Sequence, residues 1–196
     1  MAINHSMKKI LKALSFDGIE VEAARHLASL KAIDPMKIFH KTIDYKIYNG
    51  DYEVPVRIYL PREKVTEDLP VFLFFHGGGW VTDCIDNYER ICARLASATE
   101  HIVVSVEYRL APEHPFPTGF MDCYAVAKAI YTNRFILNVN PQRITLIGDS
   151  AGGNLAAAVS LKARDDGIFK PQRQILIYPA VNNDYSDTSR FQSVKD

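Results

Sequence analysis

The sequence predicts an α/β fold in which a mostly parallel sheet is preceded by an antiparallel hairpin and by N-terminal helices. Four short runs are apolar without interruption, as is typical of parallel strands that are covered on both faces. Helix-length segments separate these runs, and a stretch of alternating polarity comes before them. The four apolar runs are residues 71–75, 102–106, 144–147 and 175–178.

The composition fits a single globular domain and excludes several classes of protein. The chain has 196 residues, 47% of them hydrophobic, and its 23 Lys+Arg balance 23 Asp+Glu. This hydrophobic share excludes disordered and collagen-like chains, and the absence of net charge argues against nucleic-acid binding. No apolar run reaches the ~18 residues of a membrane span, and no signal peptide is recognisable. Three cysteines make no disulfide framework, so we expect a cytoplasmic location.

Residues 1–40 are predicted to form helices ahead of the sheet. Apolar positions recur at helical spacing through residues 6–33, with a break at Asp17-Gly18, and Pro35 ends the pattern. No residue in this part indicates chemistry. We therefore divide the chain into an N-terminal helical part and an α/β core over residues 41–196.

The core begins with a predicted β-hairpin. Polar and apolar residues alternate from Thr42, a turn follows at Asn49-Gly50-Asp51, and alternation resumes from Tyr52. Pro55 has no N–H to donate to a neighbouring strand. We therefore expect the second strand of the hairpin to lie near a sheet edge or a bulge.

Three helices are predicted between the apolar strands, over Asn87–Thr99, Thr118–Thr132 and Ala151–Ala163. The third is followed by Asp165-Asp166-Gly167, a stop signal because glycine accepts the left-handed conformation after a helix. Strands and helices alternate without a linker or an internal repeat. The sequence therefore predicts one domain.

The turn between the run 144–147 and the third helix matches the pattern G-x-S-x-G. A serine on such a strand-to-helix turn is lifted out of the sheet with its Oγ exposed, and small neighbours relieve the crowding. The helix N-terminus adds N–H groups and a positive dipole end for a developing oxyanion. A glycine-rich turn with an incidental serine is the alternative, which this context disfavours. The pattern comprises Gly148, Asp149, Ser150, Ala151 and Gly152.

A second motif, HGGGW, follows the apolar run 71–75 and extends from His76 to Trp80. Its three consecutive glycines leave backbone N–H groups unshielded, which suits an oxyanion hole. A phosphate-binding loop is the alternative, but neither G-x-x-x-x-G-K-[ST] nor G-x-G-x-x-G is present. For Trp80, lining a pocket and simple packing are equally good interpretations.

The third motif, YRLAPEHPFP, extends from Tyr108 to Pro117 after the run 102–106. Its prolines fix an extended turn. An ion pair between Arg109 and Glu113 would pin that turn, and we expect this motif, His114 included, to be structural.

In this order, HGGGW, YRLAPEHPFP and GDSAGG resemble the hormone-sensitive-lipase-like branch of the α/β-hydrolase carboxylesterases. The resemblance spans residues 1–181. It implies the α/β-hydrolase fold, Ser150 as the nucleophile, and a role for residues 1–40 as cap-like helices over the acyl pocket.

The resemblance also implies an oxyanion hole and the residues that shape it. Its donors would be the backbone N–H groups of Gly77, Gly78 or Gly79 together with that of Ala151, while His76 shapes the loop. No cofactor is implied, and no metal site is expected because H-E-x-x-H and C-x-x-C are both absent.

The catalytic base is the part that the sequence does not supply. A serine hydroxyl needs a base, and in this fold the triad runs Ser, then Asp or Glu, then His. Every histidine precedes Ser150, so we expect a core that is truncated after the sixth strand. The alternatives are one of two complementing chains and a degenerate relative that binds without hydrolysing. The histidines are His5, His26, His40, His76, His101 and His114.

The function expected from these motifs is hydrolysis of short-chain carboxylic esters through an acyl-enzyme, with little activity from the 196 residues alone. The alternative is a non-catalytic small-molecule receptor on the same scaffold. A lactonase, amidase or deacetylase would use the same serine. The expected partners are a small-molecule ester and either a second copy or a complementing C-terminal chain.

Overall fold

The structure, a computed structural model, describes Val21, Arg25 and residues 42–61, 69–132 and 135–181. The cap-like helices predicted over residues 1–40 lie outside the described residues, apart from Val21 and Arg25. The described strands are β1 (Thr42–Tyr48), β2 (Glu53–Tyr59), β3 (Val71–Phe75), β4 (Ile102–Val106), β5 (Ile144–Asp149) and β6 (Arg173–Ile177). The α-helices with described bounds are α1 (Ile85–Thr99), α2 (Thr118–Tyr131) and α3 (Ala151–Asp166), and a short 3-10 helix, Pro141–Arg143, precedes β5.

The six described strands form one sheet in the order β1-β2-β4-β3-β5-β6. β1 pairs antiparallel with β2, and β2 pairs antiparallel with β4. β3 pairs parallel with both β4 and β5, and β5 pairs parallel with β6. This topology confirms the predicted α/β fold with a mostly parallel sheet and an antiparallel hairpin at its start.

The hairpin is present, and its second strand lies near an edge of the sheet, as expected from Pro55, although it is not the edge strand itself. β2 lies between β1 and β4 and is therefore an internal strand. The carbonyl of Pro55 accepts a hydrogen bond of 3.0 Å from the N–H of Glu107, just past the end of β4. The β2–β4 ladder begins only at Val56. The missing N–H of Pro55 therefore falls where pairing starts, and an internal strand tolerates it there.

The two faces of the sheet carry separate cores. On β3, Val71, Leu73 and Phe75 belong to the larger cluster, which α2 and α3 cover. Phe72 and Phe74 face the other way and pack in a smaller cluster with residues of α1. This alternation explains why the strand is apolar at every position.

The last strand differs from the expectation. The run 175–178 predicts a strand covered on both faces, but the side chains of β6 are largely exposed. Leu176 packs against the main core, whereas Ile175 and Ile177 are 41% and 37% exposed. The prediction of burial on both faces is therefore wrong for β6, because α3 covers the Leu176 face and no described helix covers the opposite face.

The helix ends also depend on contacts distant in sequence. α1 begins at Ile85, two residues earlier than predicted, and the Ile85 N–H donates to the carboxylate of Glu107 at 2.6 Å. That carboxylate takes the place of a side-chain cap from the preceding residue. α3 ends at Asp166, and the following Gly167, with its φ of 65° and its N–H bonded to the carbonyl of Ala163, makes the predicted stop.

Candidate active site

The candidate site is centred on Ser150, at the turn between β5 and α3. Ser150 has φ 52° and ψ −117°, a conformation that costs energy for any residue with a side chain. Its N–H donates to the carbonyl of Ile177 at 2.9 Å, and its carbonyl accepts from Asn154 and Ala180. These bonds hold the strained residue from both sides.

Two glycines allow the turn to be this tight. A Cβ at Gly152 would lie 2.0 Å from the carbonyl oxygen of Phe75, and a Cβ at Gly148 would lie 2.4 Å from the backbone of Gly152. Any side chain at either position would therefore overlap backbone atoms. The glycines of G-x-S-x-G bring the start of α3 directly against the end of β3.

The end of β3 leads into the glycine loop that the sequence predicts as an oxyanion hole. Gly78 and Gly79 have φ of 107° and 62°, which glycine adopts without strain. The N–H of Gly77 already donates to Asp149 at 3.1 Å and to Tyr88 at 3.2 Å. Among the described residues, no group accepts from the N–H groups of Gly78, Gly79 and Ala151.

His76 is a buried part of this loop. Burial lowers its pKa to about 4, so the imidazole is neutral at neutral pH. Its Nδ1 lies 2.8 Å from the carbonyl oxygen of Gly77, and the hydroxyl of Tyr108 donates to the carbonyl of His76 at 2.8 Å. The Tyr108 ring also stacks on the imidazole at 4.3 Å. These contacts fit the predicted role of His76 in shaping the loop.

Asp149 connects the two motifs. One carboxylate oxygen accepts from the Gly77 N–H, and the other accepts from the Tyr88 hydroxyl at 2.8 Å. Burial raises the pKa of Asp149, and the bond from Tyr88 opposes that rise. The residue before the nucleophile therefore bonds to the oxyanion loop.

The predicted ion pair between Arg109 and Glu113 is wrong. Arg109 instead donates to the fully buried carboxylate of Asp122 on α2, with distances of 2.8 and 2.9 Å. Glu113 accepts from the guanidinium of Arg25 at 2.8 and 2.9 Å. The loop is pinned as expected, but by partners from α2 and from the N-terminal part of the chain.

A cavity of about 790 Å³ opens beside the turn that carries Ser150. Gly79 and Trp80 line it on one side, and the first turns of α3 line it on another. Trp80 therefore lines a pocket, which decides between the two interpretations left open for it. The apolar lining includes Trp80, Val81, Phe116, Phe120, Leu155 and Val181, and the polar lining includes Arg109, His114 and Asn154.

None of the three described histidines is bonded to Ser150. His76 is bonded within its own loop. His101 precedes β4 and stacks on Phe72 at 4.0 Å, at the opposite end of the sheet from Ser150. His114 lines the cavity without a hydrogen bond to the serine. In the described part of the chain, Ser150 therefore has no histidine base in contact.

Three polar residues of the site have no clear signal in the sequence. In the sequence, Tyr88 looks like a packing residue of the helix α1. Asp122 lies within the helix α2, outside every motif. Tyr108 belongs to a recognised motif, but its contact with His76 depends on the order of β3 and β4 in the sheet. Within the described residues, no group of three or more His, Cys, Asp or Glu side chains is arranged to hold a metal ion. Nor does any described helix have the length and apolar character of a membrane span.

Residues 72–196 match the α/β-hydrolase fold family. The chain is 40% identical to carboxylesterase NlhH of Mycobacterium tuberculosis, over 87% of this chain and 53% of that protein. It is 37% identical to an arylesterase of Saccharolobus solfataricus, over 89% of this chain and 55% of that protein. The chain thus spans about half the length of these curated relatives. The solved structure of an esterase from Pyrobaculum calidifontis superimposes with a TM-score of 0.79 at 36% identity, covering 98% of this chain and 63% of that one.

Proposed function

The chain belongs to the α/β-hydrolase fold family, in its hormone-sensitive-lipase-like branch, and we propose that it carries the nucleophile and the oxyanion hole of a carboxylesterase. The observation that supports this most directly is the strained Ser150, held on a β–turn–α junction beside a glycine loop. Structural packing alone gives no reason to maintain a serine in that conformation.

In the proposed reaction, the Oγ of Ser150 attacks the ester carbonyl and the alcohol leaves, which forms an acyl-enzyme that water then hydrolyses. The carbonyl oxygen becomes an oxyanion during each attack. We assign its stabilisation to the N–H groups of Gly78, Gly79 and Ala151, because the Gly77 N–H is already bonded to Asp149 and Tyr88. The N-terminus of α3 adds a favourable dipole.

The base that takes the Ser150 proton is proposed to come from sequence outside these 196 residues. The support is that all six histidines precede Ser150 in the sequence, and that His76, in the loop after β3, is buried and bonded within that loop. A complementing chain or a longer form of the protein would supply a histidine and the carboxylate that orients it.

The substrate is proposed to be a small carboxylic ester with an apolar acyl or alcohol group. The aromatic and aliphatic lining of the 790 Å³ cavity suits such a group. The names of the two curated relatives, a carboxylesterase and an arylesterase, agree with this class. A lactone and an amide added to the panel of esters would separate the hydrolytic activities that use the same serine.

The proposal is tested with p-nitrophenyl acetate and the Ser150→Ala variant. The chain alone should give only the weak catalysis of an oxyanion hole, about 10³–10⁴-fold over water. A C-terminal segment that bears the missing Asp and His should raise the rate, and Ser150→Ala should remove that rise. Full turnover by the chain alone, abolished by Ser150→Ala, would contradict an external base.

Binding without hydrolysis would favour the alternative function, a non-catalytic small-molecule receptor on the same scaffold. If the completed enzyme binds apolar esters but does not cleave any of a series of acyl lengths, the chain is part of a binding module. The cytoplasmic location and the homo-oligomer stay predictions. The three cysteines are unpaired in the structure, which agrees with the expected location.

A further inference from the structure

We propose that Tyr88 is a positioning residue: its hydroxyl fixes the oxyanion loop to the nucleophile turn by way of Asp149. This inference rests on the proposed function, because it assigns a task to the loop that the proposed function uses. Tyr88 lies in the first turn of α1, outside all three sequence motifs.

Three polar groups form a closed set of hydrogen bonds. The Gly77 N–H is shared between Asp149 Oδ1 at 3.1 Å and the Tyr88 hydroxyl at 3.2 Å. The Tyr88 hydroxyl then donates its proton to Asp149 Oδ2 at 2.8 Å. The two oxygens of one carboxylate therefore bond to two different elements, the glycine loop and α1. We call these three residues the Tyr88–Asp149–Gly77 clamp.

The packing around the clamp leaves little room for movement. A Cβ at Gly77 would lie 2.6 Å from Asp149 Oδ2 and 3.0 Å from the Tyr88 hydroxyl. The Tyr88 ring also contacts Phe74 and His76, with ring centroids 5.6 Å apart in both pairs. The glycine loop therefore approaches the carboxylate as closely as a backbone without a side chain allows.

The clamp determines which N–H groups of the loop remain available. It engages the Gly77 N–H, whereas the carbonyl of Gly78 accepts from the N–H groups of Val81 and Thr82. With both ends of this short segment bonded, the Gly78 and Gly79 N–H groups are fixed in place before a substrate arrives. Such preorganisation is what makes an oxyanion hole effective.

α1 supports Tyr88 through an anchor of its own. The first N–H of α1, at Ile85, is held by the carboxylate of Glu107 at 2.6 Å. Glu107 follows β4, next to β3 in the sheet. The position of the Tyr88 hydroxyl relative to the glycine loop therefore depends on the sheet and not on the helix alone.

The test uses the ¹⁵N-labelled chain and follows the Gly77 amide signal between about pH 3 and pH 8. In the wild type this signal should report the titration of Asp149. Tyr88→Phe removes a donor to the carboxylate, so the midpoint should rise by about one pH unit, and the Gly78 and Gly79 amide signals should move.

Two further variants serve as controls. Tyr131→Phe removes the hydroxyl of another largely buried tyrosine, which donates to the carbonyl of Ile144, and should leave the midpoint unchanged. Asp149→Asn should abolish the titration, which assigns it to the Asp149 carboxyl. The ionisable groups that face Asp149 are Tyr88 and Cys92 of α1, Asp83 before it, Tyr108 after β4 and Tyr178 after β6.

An unchanged midpoint in Tyr88→Phe, or an equal change in Tyr131→Phe, overturns the proposal. A Gly77 titration that persists in Asp149→Asn overturns it as well. These signals need no catalysis, so they decide on the clamp even if Ser150 hydrolyses nothing, a result that would count against the proposed function alone.

Where Ser150-dependent hydrolysis is measured, kinetics give a second readout. Tyr88→Phe should lower kcat about tenfold with KM within about twofold, since the hydrogen bond acts on a group that stabilises the transition state. Tyr131→Phe should leave both unchanged, and an unaltered kcat in Tyr88→Phe overturns the positioning role.

Discussion

At the scale of single residues, the site depends on backbone atoms that approach one another more closely than side chains permit. The carbonyl of Phe75 lies 2.0 Å from the point where a Cβ of Gly152 would stand. Gly152 is therefore required for close packing, while Ser150 is required for its strained conformation and its hydroxyl. The two residues are only two positions apart in the sequence, but the physical reasons for them are independent.

The neighbouring glycines of α3 give a matched test of this reasoning. Gly152→Ala should destabilise the protein by about 3 kcal/mol, because the new methyl group overlaps two backbone carbonyls. At Gly153 a Cβ would lie 3.0 Å from the Cβ of Pro179 and 3.1 Å from the carbonyl oxygen of Gly148, which is tight but does not overlap as at Gly152. Gly153→Ala should therefore stay within about 1 kcal/mol of wild type, helped by the helix propensity of alanine. Urea unfolding measures both, and equal losses would contradict the close-approach argument.

At the scale of elements, a buried ion pair joins the loop after β4 to α2. The Asp122 carboxylate accepts from the backbone N–H and the guanidinium of Arg109, and from the side chain of Asn49 in the β1–β2 turn. Arg109 also lies over the ring of Tyr52 at 4.5 Å. One carboxylate thus holds together three elements next to the cavity.

Arg109 has one buried and one exposed carboxylate partner, Asp122 and Asp51. Removing each in turn tests how strongly burial determines the contribution of an ion pair to stability. Asp122→Ala should cost about 3 kcal/mol, because it leaves Arg109 and Asn49 without their buried acceptor. Asp51→Ala removes a carboxylate 3.5 Å from the same guanidinium, but one that is 76% exposed, so it should cost less than about 1 kcal/mol. Thermal unfolding of both variants gives the comparison. If Asp51→Ala were as destabilising as Asp122→Ala, burial would not be the cause.

The sequence predicts the strands and the glycine motifs well because those signals are local. Continuous apolar runs mark β3 and β4 at their observed bounds. The partner of Arg109 could not be predicted from local patterns, because Asp122 reaches Arg109 only once α2 packs against the loop after β4. The exposure of β6 depends on which helices cover each face of the sheet, and an apolar run in the sequence does not show how many faces are covered.

At the scale of the whole molecule, the parallel strands bring the motifs together. The glycine loop follows β3, the YRLAPEHPFP loop follows β4 and the serine turn follows β5. Carboxyl ends of parallel strands meet at one edge of a sheet. Two carboxyl groups with raised pKa values, Glu107 and Asp149, lie at this same edge. Their burial makes the stability of the whole chain depend on pH.

The variant Glu107→Gln isolates one part of that dependence. Burial raises the Glu107 pKa above its usual 4.5 in the folded state, so the folded chain holds a proton that the unfolded chain has lost. The contribution of Glu107 to the free energy of unfolding therefore falls as pH rises from 4.5 to the folded pKa, by about 1.4 kcal/mol for each unit of the shift. Glutamine keeps an acceptor for Ile85 and should remove this fall, while the fall due to Asp149 and the opposite change due to the lowered pKa of His76 remain in both proteins.

Glu113→Gln is the control for the same pH series. The guanidinium of Arg25 lowers the Glu113 pKa to about 2, so this carboxylate is ionised in both the folded and the unfolded chain above about pH 5. Its unfolding free energies should therefore run parallel to those of the wild type between about pH 5 and pH 8, at a constant offset. Denaturant unfolding across that range measures all three proteins. If Glu107→Gln also ran parallel to the wild type, the Glu107 carboxyl would be ionised throughout, and its contact with Ile85 would have to outweigh its burial.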